Sequence, residues 1–177
     1  MGIRSLIATC ALVSTVASAA DFGVADLGTP CAYIQEREIA RGSWSIPWQA
    51  PKVGEFFAFG GRAFDRDVSM LYLCRSGTLV AGNYYLPIEP LAQATKSYLR
   101  VYEELVSLYG EPLLPNRALT ILGTLPEDPR TMPADRTGAM TWWRIGNVSV
   151  TQALMPHTTG EDIGWRVFIV VGPSARR

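Results

Sequence analysis

Residues 68–86 read VSMLYLCRSGTLVAGNYYL. Val68–Cys74 and Thr78–Leu86 are rich in β-branched and aromatic residues, and Ser76-Gly77 supplies a turn between them. The stretch is a β-hairpin. A two-residue turn sets Cys74 opposite Leu79 and Tyr72 opposite Ala81. One face then carries Val68, Met70, Tyr72, Cys74, Leu79, Ala81 and Tyr85, and the other Leu71, Leu73, Val80, Tyr84 and Leu86. A three-residue turn with a bulge at Gly77 is the competing reading and shifts the pairing, while the alternation within each strand holds either way. Both faces are apolar. A hairpin with one face in water alternates apolar and polar residues, so each face is expected to lie under something.

The next segment supplies one cover. Pro90 fits the first turn of a helix, and Gly110 followed by Pro112 fits its end. Between them Leu91, Thr95, Tyr98, Tyr102, Leu105, Val106 and Tyr109 recur at spacings of three and four, a single buried stripe. Lys96, Arg100, Glu103 and Glu104 fall on the outer side. Tyrosines in such a stripe belong to a core rather than to a ligand box.

The second cover is read from cysteine. Beyond Cys10 the chain holds only Cys31 and Cys74. In an exported protein such a pair forms a disulfide, which would tie the Cys31 region across the hairpin face opposite the helix. Two cysteines and the single His157 do not make a tetrahedral metal site.

Export is read from residues 1–20. Arg4, the apolar run LIATCALVSTV and the small-residue exit Ala17-Ser18-Ala19-Ala20 compose a signal peptide. The run is too short for a bilayer span, which needs about 20 apolar residues. Cys10 follows Thr9 inside the run, which argues against lipidation. Leu6 occupies the position that N-myristoylation reserves for Ser or Thr. The expected location is the periplasm in a bacterium and the exterior otherwise, with no stable membrane insertion.

Residues 21–54 carry Pro30, Gly42, Pro47, Pro51 and Gly54 and read as an irregular arm, with a short strand at Cys31–Glu38 and with Trp44 and Trp48 as anchors. Phe56–Phe59 is strand-like, Gly60-Gly61 interrupts it, and Arg62–Asp67 continues. After the helix, Arg117–Leu125 reads as one strand, and the segment EDPRTMPADRTG as a surface loop. Ala139–Ile145 turns at Gly146-Asn147 into Val148–Leu154, and a polar loop leads to Ile163–Val171. Pairing Ile145 with Val148 gathers Ala139, Thr141, Trp143, Val148, Val150 and Leu154 on one face, matched by Trp165, Val167, Ile169 and Val171. The reverse face carries Met140, Trp142, Arg144, Thr151, Arg166 and Phe168. The expected fold is α+β: an antiparallel sheet of about five to seven strands with one long amphipathic helix on one face, ordered ββ-α-βββ. Residues 55–173 form the single domain, joined by the arm at 21–54 and followed by a basic tail at 174–177.

The chain carries 16 basic and 16 acidic residues. This balance gives no electrostatic reason to expect nucleic acid. There is no G-x-S-x-G, P-loop, EF-hand or dinucleotide fingerprint, and no cofactor is implied. His157, near Glu161 and Asp162, sits where solvated histidines sit. Asp65 and Asp67 could share a face as an acid/base or cation pair, but Arg62 and Arg66 beside them point to surface ion pairing. What remains is Trp142, Arg144, Arg166 and Phe168 on one surface, the residue types of binding hot spots. Coverage of that patch by the arm is the competing reading. The expectation is a non-enzymatic binding module, an inhibitor or immunity-type protein with a protein partner. The alternatives are an envelope hydrolase using acidic residues and His157, or a cell-wall carbohydrate or peptidoglycan binder that stacks sugars on Trp142 or Tyr84. The sequence assigns no oligomeric state.

Overall fold

The computed structural model describes residues 26–47, 55–133, 138–158 and 160–174. The signal-peptide reading, Trp48 and the last three residues of the tail lie outside them. Seven antiparallel strands form one sheet: β1 (Trp44–Ser45), β2 (Glu55–Ala63), β3 (Arg66–Arg75), β4 (Thr78–Glu89), β5 (Ala139–Ile145), β6 (Val148–His157) and β7 (Gly164–Pro173). Their spatial order is β1-β2-β3-β4-β7-β6-β5. Between β4 and β5 the chain makes a long helix, α2 (Leu91–Tyr109), and a short one, α3 (Pro115–Leu122). It then enters the sheet at the far edge and returns to the centre through two hairpins. The fold is α+β, with the long helix packed on the sheet.

The long helix begins and ends where its proline and glycine place it, with Gly110 taking up the left-handed φ of 77° that closes it. Its buried residues are Leu91, Ala94, Ser97, Tyr98, Val101 and Leu105. The stripe is therefore rotated slightly from the expected one, with small residues facing the sheet and Tyr102 at its margin.

Three local expectations are corrected. The Cys31 region is a helix, α1 (Ala32–Ala40), rather than a strand or irregular chain. Its inward residues are Ile34 and Glu38, four apart on one face. Residues 117–122 lie in α3 rather than in a strand, and the helix sets Ala118 against the core. Within the following loop, Pro129–Thr131 makes a 3-10 turn that Asp128 caps through the backbone N–H of Arg130.

The hairpin that decides the fold has the two-residue turn, with Arg75 opposite Thr78 and Cys74 opposite Leu79. A bulge then intervenes, because Leu73 pairs with Ala81 and leaves Val80 extra. From there on the face assignment of β4 is reversed. Tyr84 and Leu86 join Val68, Met70, Tyr72 and Cys74, and Tyr85 goes to the other side.

The disulfide Cys31–Cys74 is present. The face it closes is not the expected one. Tyr72, two residues from Cys74, is in register with Gly82, Val171, Val150 and Trp143, and α2 lies on that same side, where the Gln152 side-chain amide donates to the Tyr98 carbonyl at 2.6 Å. Both α1 and α2 thus share one face, α1 over β2–β3 and α2 over β7–β6. One core cluster runs under them from Cys31, Ile34 and Phe59 to Trp143 and Trp165.

Candidate binding face

The reverse side of the sheet carries the sequence-derived candidates. Trp142, Thr151 and Val170 are register partners across β5, β6 and β7. The next row holds Met140, Ala153, Phe168 and, on β4, Tyr85. The same row continues through Ser69 and Gly60 to Trp44 on β1, so it crosses all seven strands. Arg144 stands one step beyond Trp142, and Arg166 one step beyond Phe168, opposite Met155 and Ile88. All four candidates therefore share the face away from α1 and α2.

Their environments differ. Arg144 is exposed, and its Nε donates to Ser174 Oγ at 2.8 Å. Trp142, Arg166 and Phe168 are half-buried by their neighbours on the sheet. The Phe168 and Tyr85 rings lie 6.2 Å apart in a tilted pair, within the range of favourable aromatic contact. Burial pushes the Tyr85 phenol up, and the positive charge of Arg166 pulls it back. Trp44, the arm's described anchor, sits at the opposite edge of the sheet from Trp142 and does not cover it.

The helix face holds the other concentration of polar chemistry. Glu38 of α1 is fully buried. Its carboxylate accepts from the Tyr72 hydroxyl, from Ser43 Oγ at 2.6 Å and from Arg41 Nε at 2.6 Å. Burial, then the hydrogen bond to Glu38, raises the Tyr72 phenol far above its ordinary range. Burial likewise raises Tyr84, against the pull of Arg41. This cluster lies between a helix and the sheet, and its members satisfy one another. It stitches α1 to β3 alongside the disulfide, which is what a buried carboxylate needs to be tolerated. A cleft of about 280 Å³ opens between α1 and α2, with Arg41, Arg62, Glu104 and Tyr109 above a floor of Val150 and Ile169.

The acidic candidates are not brought together. Asp65 lies in the β2–β3 turn with a φ of 52° and pairs with Arg100 of α2. Asp67 is on the reverse face, opposite Arg62. The expectation that the two share a face fails because the turn, rather than a strand, holds Asp65. His157 ends β6 and is half-buried, with Glu161 and Asp162 exposed in the loop beyond it. Among the described residues no group of three metal-ligating side chains forms, and no helix is long and apolar enough to cross a membrane.

Sequence reasoning missed Trp44 and Tyr85 as members of the reverse face. The Gly60-Gly61 pair was the available signal. It reads as an interruption, yet β2 runs straight through it. The glycines serve close approach: a Cβ on Gly60 would stand 2.2 Å from the Trp44 indole, and one on Gly61 2.6 Å from Ser43 Oγ. The chain matches no family model, no curated protein and no solved structure.

Proposed function

We propose that this protein is an exported, non-enzymatic binding module that docks a protein partner on the reverse face of its sheet, in the manner of an inhibitor or immunity-type protein. One observation carries the reading. Trp142, Arg144, Arg166 and Phe168 lie together on the side of the sheet away from α1 and α2. Tryptophan and arginine are the residues that dominate measured interface energies, and half-buried aromatic rings on a rigid sheet lose little entropy when a partner seats on them. Export is inferred from residues 1–20 and agrees with the disulfide.

The test is affinity capture from envelope extract with the mature protein and with two single variants, Trp142→Ala and Phe168→Ala. The expected result is a discrete protein held by the parent and lost, or weakened about 30-fold or more, in both variants, as hot-spot truncation implies. A partner held equally by all three would move the docking site off this face. Retention on purified cell-wall polymer instead of a protein would favour the carbohydrate alternative.

A further inference from the structure

The far end of the reverse face carries a built recess. The Trp44 indole lies where any side chain on Gly60 would stand. The glycine is thus the seat of the ring. The ring remains 57% exposed, a flat apolar wall rather than a core residue. Beside it opens a cavity of about 490 Å³, bounded by Trp44, Ile46, Tyr85, Pro87, Asp67 and Arg166. That volume falls within the range of about 300–1,000 Å³ typical of ligand pockets.

Charge decides what the recess suits. Arg166 Nε is buried and meets no hydrogen-bond acceptor among the described residues. A guanidinium N–H withdrawn from water without an acceptor costs free energy. Arg166 also lines the recess, and a carboxylate is the natural complement of its guanidinium there, because the planar fork matches two oxygens. Asp67 also lines the recess and bears the opposite charge, but it does not accept from Arg166 Nε. A neutral sugar stacked on Trp44 would accept from Arg166 only through a hydroxyl, a weaker bond than the charge-assisted one a carboxylate makes.

We infer that this recess is the anchor pocket for the partner, and that it takes an acidic side chain whose carboxylate meets Arg166 while an adjoining aromatic group stacks on Trp44. The inference rests on the reading of the reverse face as the docking surface. It adds the chemistry of the group received there.

Two capped dipeptides serve as probes: N-acetyl-Phe-Glu-amide and its neutral isostere N-acetyl-Phe-Gln-amide. Each is titrated into the full mature protein while the indole N–H resonance of Trp44, assigned with Trp44→Phe, is followed by NMR. The expected result is a shift of that resonance and about tenfold tighter binding of the glutamate probe, the scale of a charge-assisted pair. Arg166→Gln should abolish the ratio, and in Trp44→Ala, which lacks the followed resonance, titration calorimetry should find both probes bound more weakly. The far-ultraviolet circular dichroism of each variant checks that it is folded. Raising the salt should shrink the ratio in the parent itself, which tests the charge pairing without any variant. Equal affinities for the two probes, or a ratio that survives Arg166→Gln, would overturn the pocket. If the ratio is absent while partner capture still depends on Trp142, only the pocket fails. If the ratio is present while capture ignores Trp142 and Phe168, only the docking reading fails.

Discussion

Trp142 and Trp143 are consecutive on β5, and the pleat sends them to opposite faces. Trp143 is 2% exposed, stacks beside Tyr102 at 6.0 Å and donates its indole N–H to the Gly110 carbonyl at 2.8 Å. Trp142 is half-buried, with Arg144 on one side of it on β5 and Met140 on the other. The contrast extends over both faces. On the helix face the polar groups turn inward to each other: Tyr98 with Thr141, Gln152 with the Tyr98 carbonyl, Glu38 with Tyr72 and Ser43. On the reverse face Arg144 donates to Ser174, and Arg166 Nε meets no acceptor among the described residues, just as Gln152 Oε1 on the helix face meets no donor there. What separates the two faces is enclosure: Trp143 and Trp165 are buried in the core cluster, whereas Trp142 and Phe168 are half-buried.

The strongest way to break this comparison is Trp143→Ala. The substitution empties a filled site between α2 and the sheet and leaves the Gly110 carbonyl without its donor. The expected cost is about 3–5 kcal/mol in urea unfolding, the usual range for a buried aromatic. A loss below about 1 kcal/mol would mean that the helix face is not the principal core.

The disulfide tests a division within the helix face. Helix α2 is held by an extensive apolar stripe, whereas α1 buries only Ile34 and Glu38. The bond closes a loop of sequence separation 43, so Cys74→Ser should lower stability by about 2–5 kcal/mol. Free-thiol titration of denatured, unreduced mature protein should find none at Cys31 or Cys74. Two reactive thiols there would remove the tie that holds α1.

How much of this was legible in the sequence follows the same division. The strands of β5–β7 sort correctly to their faces, down to Ile145 opposite Val148, because no bulge interrupts the pairing of β5 with β6 or of β6 with β7 and the alternation holds throughout. The long helix was legible from its punctuation. Helix α1 was not, because its inward pair includes a glutamate, and a pattern reading places charge outside. The Val80 bulge was not legible either. One unpaired residue exchanged Tyr84 for Tyr85, and with it the reading of which tyrosine joins the reverse face. The disulfide partners were legible, but the face they close depends on where α1 and α2 pack together, which no local pattern encodes. Of the candidate site, the four residues on β5 and β7 were legible by alternation. The recess at Trp44 was not, since it arises from a two-residue strand pairing over a glycine.

A smaller effect sharpens the contrast in enclosure. Burial raises the Tyr98 phenol to about 12, with its bond to Thr141 pulling the other way. In the unfolded chain a tyrosine titrates near 10. The folded state therefore keeps a proton that the unfolded state sheds. Stability is unaffected below pH 10 and falls from pH 10 toward 12, by about 1.4 kcal/mol per unit for this group. Tyr72 and Tyr84, raised by burial as well, steepen the loss. Tyr98→Phe should cost about 1 kcal/mol at neutral pH through the lost bond to Thr141 and should flatten the alkaline slope. Urea midpoints between pH 7 and 11.5 measure both, and an unaltered slope would place Tyr98 outside the core.

The smallest stability effect carries the most information. Trp142→Ala removes a half-buried ring on the face away from α1 and α2, without the indole hydrogen bond that Trp143 makes. Its neighbours Thr151 and Val170 can be wetted without stranding a buried polar group. The expected cost is therefore below about 1 kcal/mol, in keeping with substitutions away from core and cap. If the ring is a contact for a partner, its loss should nonetheless weaken binding by about 2 kcal/mol or more, the threshold of a hot spot. Melting and partner affinity are measured on the same preparation and compared with Trp143→Ala. The two variants should then separate cleanly, one losing the fold and the other losing the partner. If Trp142→Ala melts as early as Trp143→Ala, the reverse face is a second core beneath some other part of the chain. The sheet would then be buried on both sides, and a partner would have to dock on the loops at 126–138 or 156–162, since loops are the usual alternative carriers of contact residues.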